Sequence, residues 1–159
     1  MKKSLEADLA EPQMEEPKIS PEEYGRILGG LQLLDLELRD CTMQSAAGSA
    51  EEEKRRVVVD DSGARFETGP DNSVLVWHEY SLKAKIGRKT VFSLKATFKL
   101  TFLAEEAFTA DFFQVFRELN LTLHTWPFFR ELLTNLSERT SLPRLTLPLL
   151  KYKVDELMR

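Results

Sequence analysis

Cysteine, histidine and long hydrophobic runs are what this chain of 159 residues has least of. Cys41 is the single cysteine, which excludes an internal disulfide framework and a cysteine-built metal cluster and leaves the thiol as a small strand residue. His78 and His124 are the only imidazoles; both lie among apolar neighbours without an acidic or cysteine partner at a ligand-like interval, so no metal site and no catalytic pair can be assembled from them. Gly25, Gly29 and Gly30 have the wrong spacing for a phosphate loop and no Lys-Ser or Lys-Thr follows them. Serines occur without a nucleophile elbow or a nearby base, and Glu105 and Glu106 fall at a strand end where solvation outweighs acid–base work. No catalytic residue, metal or cofactor is expected. Nothing approaches the roughly 18 apolar residues of a membrane span. Acidic residues and prolines follow Lys2 and Lys3 where an export signal would be apolar, so a soluble, cytoplasmic protein without membrane insertion is expected.

An excess of positive charge is also lacking. Residues 1 to 23 hold seven acidic side chains against Lys2, Lys3 and Lys18, while the rest of the chain holds nineteen of each sign, so the net charge of −4 resides in the amino-terminal arm. A neutral remainder has no large basic field to gather phosphates, which argues against nucleic acid as a partner. The arm, with Pro12 and Pro17 among glutamates, cannot repay its ordering entropy; residues 1–19 are read as a disordered acidic tail and residues 20–159 as one domain.

Within that domain, Ser20-Pro21-Glu22-Glu23 reads as a helix start with Ser20 as the N-cap, and Gly29-Gly30 as its end. Alternation then begins, with Leu34, Leu36 and Leu38 opposite Asp35, Glu37 and Arg39; the shift of parity at Cys41 and Met43 predicts a bulge near Arg39 and Asp40. Residues 44–53 read as a flexible crossover, 55–60 as a short second strand, and Asp61-Ser62-Gly63 and Gly69-Pro70-Asp71-Asn72 as turns bracketing a weaker extended piece. Ser73 to Ile86 and Thr90 to Leu103 alternate most cleanly and predict a hairpin with one dry face, carrying Phe92, Phe98 and Phe102, and one wet, lysine-rich face. A cover is required. Thr109 can cap a helix whose Phe112, Val115, Phe116 and Leu119 form an apolar stripe, and after an interruption at 120–125 a second helical piece with Pro127 in its first turn, or at a kink, carries Trp126, Phe129, Leu133 and Leu136. Past Pro143, Leu145 and Leu147 alternate, and Pro148 is read as opening a short last helix. The fold class is α+β: a four-stranded antiparallel sheet with a crossover after the first strand, one face covered by a long carboxy-terminal helix and a short last helix.

Trp126-Pro127-Phe128-Phe129-Arg130-Glu131-Leu132, followed by Asn135-Leu136, Arg139 and Leu142-Pro143-Arg144-Leu145, resembles the helix and exit loop of the SecB protein-export chaperone family. A weaker echo of that family's Lys-Asp-x-Ser-Phe-Glu signature lies at Arg39-Asp40-Cys41-Thr42-Met43-Gln44, making Arg39, Asp40, Thr42 and Gln44 candidates for docking the SecA motor. The resemblance covers about Leu31 to Leu157 and is specific in its last third. It implies dimers paired through sheet edges, a homotetramer formed as a dimer of dimers, and ATP-independent holding of unfolded polypeptides, either for delivery to SecA or on behalf of a single cognate partner such as an antitoxin. Gln44 stands where the family has an acidic residue, and the wet face is lysine-rich where a docking surface for SecA would be acidic.

A holdase needs apolar surface with few directional demands. Leu34, Leu36, Trp126, Leu142, Pro143, Leu145 and Leu147 are the candidates for a client groove, because strand, helix and exit loop are expected to converge there; Leu145 and Leu147, flanked by prolines, are expected to be the exposed ones. Phe129, Leu133 and Leu136 divide between core, helix-mediated oligomer contact and groove. The competing reading from another class is a small-ligand-binding α+β domain, which a deep closed pocket holding His78 with polar partners would favour.

Overall fold

Four strands of 14 to 16 residues build one antiparallel sheet in the order β1-β4-β3-β2, with β1 (Leu31–Ser45) and β2 (Arg55–Thr68) at the two edges and β3 (Ser73–Ile86) and β4 (Lys89–Ala104) between them. The computed structural model describes residues 18–46 and 55–150. The chain thus crosses from one edge to the other after the first strand, as the sequence predicts. The central hairpin turns at Gly87, whose φ of 61° suits glycine, and at the opposite end Asp71 and Asn72 take φ of 57° and 58°, a left-handed pair that these two side chains tolerate. Residues pairing across β3 and β4, such as Val76 with Leu100 and Leu82 with Leu94, put a fully buried apolar layer on one face.

Helices cover that layer. Ser20 caps α1 (Pro21–Gly29) by accepting the Glu23 amide at 3.1 Å, and Thr109 caps α2 (Ala110–Phe116) by accepting the Phe112 amide at 3.2 Å. The predicted interruption at 120–125 is absent. A π-helical turn (Arg117–Leu121) joins α2 directly to α3 (Thr122–Ser137), and Pro127 sits within α3. The fully buried stripe runs Phe112, Phe116, Leu121, Thr125, Phe129, Leu133, spaced by four except for one step of five across the π-helical turn. That extra residue keeps the stripe on the sheet: an unbroken α-helix would turn Asn120 inward, whereas here Leu121 enters the core and Asn120 accepts a hydrogen bond from the Tyr24 hydroxyl of α1. Tyr24 stacks on Phe112 with centroids 4.9 Å apart, and burial pushes its phenol up to about 12.

Three further corrections concern the strands. Asp61-Ser62-Gly63 is a bulge inside one long β2, not a turn: register shifts between Asp61 and Gly63, and Gly63 takes φ 141°. β1 carries two bulges, one between Leu33 and Asp35 and the expected one between Leu38 and Asp40. Leu34 therefore does not share a face with Leu36 and Leu38; the inward set is Leu31, Leu33, Leu36, Leu38, Cys41 and Met43, each opposite an inward residue of β4. β1 also continues through Gln44, where the crossover was expected to begin. Ile19 already packs against the core, within the expected tail, while residues 1–17, most of the crossover and the bulk of the short last helix lie outside the described residues; Pro148, its expected first residue, is not helical.

Candidate functional site

The aromatic-rich α3 has three uses for its three flanks. Phe129 and Leu133 face the sheet and are completely buried, Phe129 stacking on Tyr80 with centroids 4.6 Å apart, which places both in the core rather than at a surface; Leu136 is half-buried.

On the flank toward β1, Phe128, Glu131, Leu132 and Asn135 form one wall of an open groove of about 200 Å³ whose other wall is Leu36, Leu38 and Phe98. The groove is apolar and incompletely covered because β1 is an edge strand: Leu38 is 43% exposed and Phe128 46%. Leu33 and Met43 extend the exposed apolar face along the same strand, and Leu34, 55% exposed at the first bulge, projects beside it.

The opposite flank is closed by the chain itself. After Ser137 the backbone turns back and runs extended beside α3, with Trp126 Nε1 donating to the Pro148 carbonyl at 3.0 Å, Arg130 Nε to Leu147 at 2.8 Å and Thr134 Oγ1 to Leu145 at 3.5 Å. Arg55 at the start of β2 donates to the Pro143 carbonyl at 3.0 Å, and the Leu145 amide donates to Ser137 Oγ at 3.0 Å. Leu142, Leu145 and Leu147 turn into the core and are 6%, 2% and 6% exposed. The expectation that Leu145 and Leu147 are exposed is thus overturned: alternation past Pro143 correctly marks an extended segment, but its leucines fill the space between helix and sheet. The sequence-selected groove residues consequently divide, Leu36 lying on the β1 flank and Trp126, Leu142, Pro143, Leu145 and Leu147 on the other, with α3 between. Phe128, Leu132, Leu38 and Phe98, which complete the open groove, were missed as groove residues; only the two β1 bulges reveal which leucines face α3.

Beneath α3 lies a buried polar chain. His78 continues the inward series of β3 between Val76 and Tyr80 and is fully buried, its Nδ1 2.8 Å from Thr125 Oγ1 and its Nε2 2.8 Å from Asp61 Oδ2. Because a carboxylate only accepts, Nε2 carries a proton. Tyr80 shares the same threonine oxygen at 2.8 Å, and Thr125 reaches the Leu121 carbonyl at 3.2 Å. Burial would raise the Asp61 carboxyl, but the hydrogen bond and charge of His78, with Arg117 and the Gly63 amide, hold it below the ordinary value. The Asp-His-Thr order resembles a proton relay, but both ring nitrogens and the threonine oxygen find their partners inside the protein, and none has surface to offer a substrate or ligand. Its role is to tie the β2 bulge to the π-helical turn. An inward histidine on an otherwise apolar strand face was the one available signal for it.

His124, lodged against Phe102 and Phe116, is shifted down from 6.5 by burial. A histidine held neutral in the fold contributes stability present above pH 6.5 and lost as pH falls from there toward its folded value. Urea unfolding between pH 7.5 and 5 is therefore expected to show a stability decrease that His124→Phe removes; an unchanged slope in the variant would assign the decrease elsewhere.

The outer face of the sheet is polar. Lys99 pairs with Glu37 at 3.2 Å, Lys95 with Glu79 at 3.3 Å, and the Arg65 guanidinium lies 3.7 Å above the Trp77 ring. Asp40, Thr42 and Gln44 face outward opposite Thr97, Lys95 and Ser93, and Arg39 stands at the second bulge, all four exposed.

No family model and no curated protein sequence matches the chain. A solved structure does: the Mycobacterium tuberculosis Rv1957 SecB-like chaperone in complex with a ChAD peptide from the Rv1956 HigA1 antitoxin superposes with a TM-score of 0.72, over 82% of this chain and 98% of that one, at 18% sequence identity. The chain therefore has the fold of a SecB-like chaperone. Among the described residues no helix is long and apolar enough to cross a membrane.

Proposed function

We infer that the protein is an ATP-independent holdase that binds extended apolar polypeptide segments in the groove between β1 and α3. The observation that carries this reading is the exposed apolar wall of Leu38 and Phe128 in a fold shared with a chaperone. Segments burying about 800 Å² of apolar surface would gain on the order of 20 kcal/mol gross, most of it offset by ordering the client and by lost freedom on association. Single grooves would be weak, and several on one assembly would raise the effective concentration of a long chain. A homotetramer built as a dimer of dimers would supply them: among the described residues no strand pairs with the outer edge of β1, whose 15 residues are suited to pairing with a second sheet. Light scattering is expected to return four times the 18.3 kDa chain mass.

The purified chain is expected to suppress aggregation of two unrelated denatured proteins, with Leu38→Asp/Phe128→Asp at least about tenfold weaker and folded normally, since exposed substitutions cost little stability. No protection at several-fold excess removes the general holdase.

A second reading, a chaperone dedicated to one cognate chain, is favoured by the antitoxin peptide bound to the neighbouring structure and by the outer face, where lysines and Gln44 replace an acidic surface for SecA. It requires protection of one partner and none of generic clients. In either case SecA binding is expected to be absent.

A further inference from the structure

The segment from Leu142 to Leu149 has no helix or sheet of its own, yet it is held as a bound peptide is held. Its anchors are side chains of the surrounding wall: Trp126, Arg130 and Thr134 of α3 and Arg55 of β2. All four are donors, and all four take backbone carbonyls, those of Pro148, Leu147, Leu145 and Pro143. Carbonyl recognition is indifferent to sequence, and it accepts proline, which has no amide to offer. Specificity resides in the apolar seats taken by Leu145 and Leu147, two residues apart, as an extended chain requires.

We propose that the channel between α3 and β2 is a second polypeptide-binding site, occupied in this structure by the protein's own residues 142–149, and that it takes extended segments with aliphatic side chains at alternate positions and prolines between them. This rests on the holdase reading and adds to it a site and its client chemistry. Binding in trans requires the strap to leave, so the apparent affinity is lowered by the fraction of time the channel is filled. The strap thereby sets a threshold that a weakly apolar segment would not pass.

The test uses the full chain in a Cys41→Ser background with Ser137→Cys and Leu145→Cys. The 3.0 Å contact between Ser137 Oγ and the Leu145 amide holds the two Cα atoms no more than about 7 Å apart, at the upper end of the roughly 4.4 to 6.8 Å that a disulfide spans. The probe is a fluorescent peptide with the sequence of residues 142–150. The reduced form is expected to bind it, and the oxidised form, with the strap locked, at least about tenfold more weakly. Leu147→Ser, which loosens the strap and leaves the wall intact, is expected to bind the peptide about tenfold more tightly than the unaltered chain. Equal binding by the oxidised and reduced forms, or no gain with Leu147→Ser, overturns the channel as a site. If neither form binds the peptide but both protect a denatured protein, the second site is refuted and the β1 groove stands; if they do neither, the holdase reading fails as well.

Discussion

Phe129→Ala is expected to lower the free energy of unfolding by about 3–5 kcal/mol, enough to leave a marginal domain largely unfolded near 37 °C. Phe129 is completely buried where α3 crosses the sheet, stacked on Tyr80 and 6.2 Å from the Trp126 ring, so truncation opens a void that aromatic neighbours on both sides cannot close. Equilibrium urea unfolding measures it. A cost below about 1 kcal/mol would mean that the helix is not seated as described, and that the groove walls it carries are not fixed.

Thr125→Val should be the second most damaging conservative change, at about 2–4 kcal/mol. Valine keeps the shape of threonine but offers no oxygen, so the His78 ring nitrogen and the Tyr80 hydroxyl lose a shared partner in a fully buried place. The coupling gives the prediction a sharper form. In His78→Phe the threonine has already lost that neighbour, so the Thr125→Val step should cost distinctly less there than in the natural chain, with an interaction energy of about 1 kcal/mol or more. Additive costs would show that the two side chains do not act together. Because Asp61 holds the other end of the chain below its ordinary carboxyl value, the network's contribution is complete above about pH 4 and is lost as pH falls through the folded value.

Residues that answer to a period were legible without a structure. Phe92, Phe98 and Phe102 on alternate positions of β4, Phe112 and Phe116 one turn apart, and the caps at Ser20 and Thr109 lie where sequence spacing puts them. What escaped detection changes the period by one residue. The bulge that separates Leu34 from Leu36, the bulge at Ser62 and the π-helical turn before Thr122 each insert a residue into an otherwise regular pattern, and each reassigns side chains to another face. Sequence marks such a place only where parity visibly breaks, as at Cys41 and Met43.

The candidate site suffered most from a different ambiguity. Alternating leucines beyond Pro143 look the same whether they face solvent or line a core; Trp126, Arg130 and Thr134 determine the outcome by binding the carbonyls of the segment and turning its leucines inward. His78 and Asp61 are seventeen residues apart, and only the pairing of β2 with β3 brings them together.

Placing a photoreactive residue at Phe128, and separately at Leu75 on the outer sheet face, and irradiating each assembly with a denatured client tests the binding groove most directly. Cross-links from position 128 with few or none from position 75 are the expected result. Client captured on the outer face, or none at position 128 while aggregation is still suppressed, would show that the groove between β1 and α3 is not where polypeptides are held.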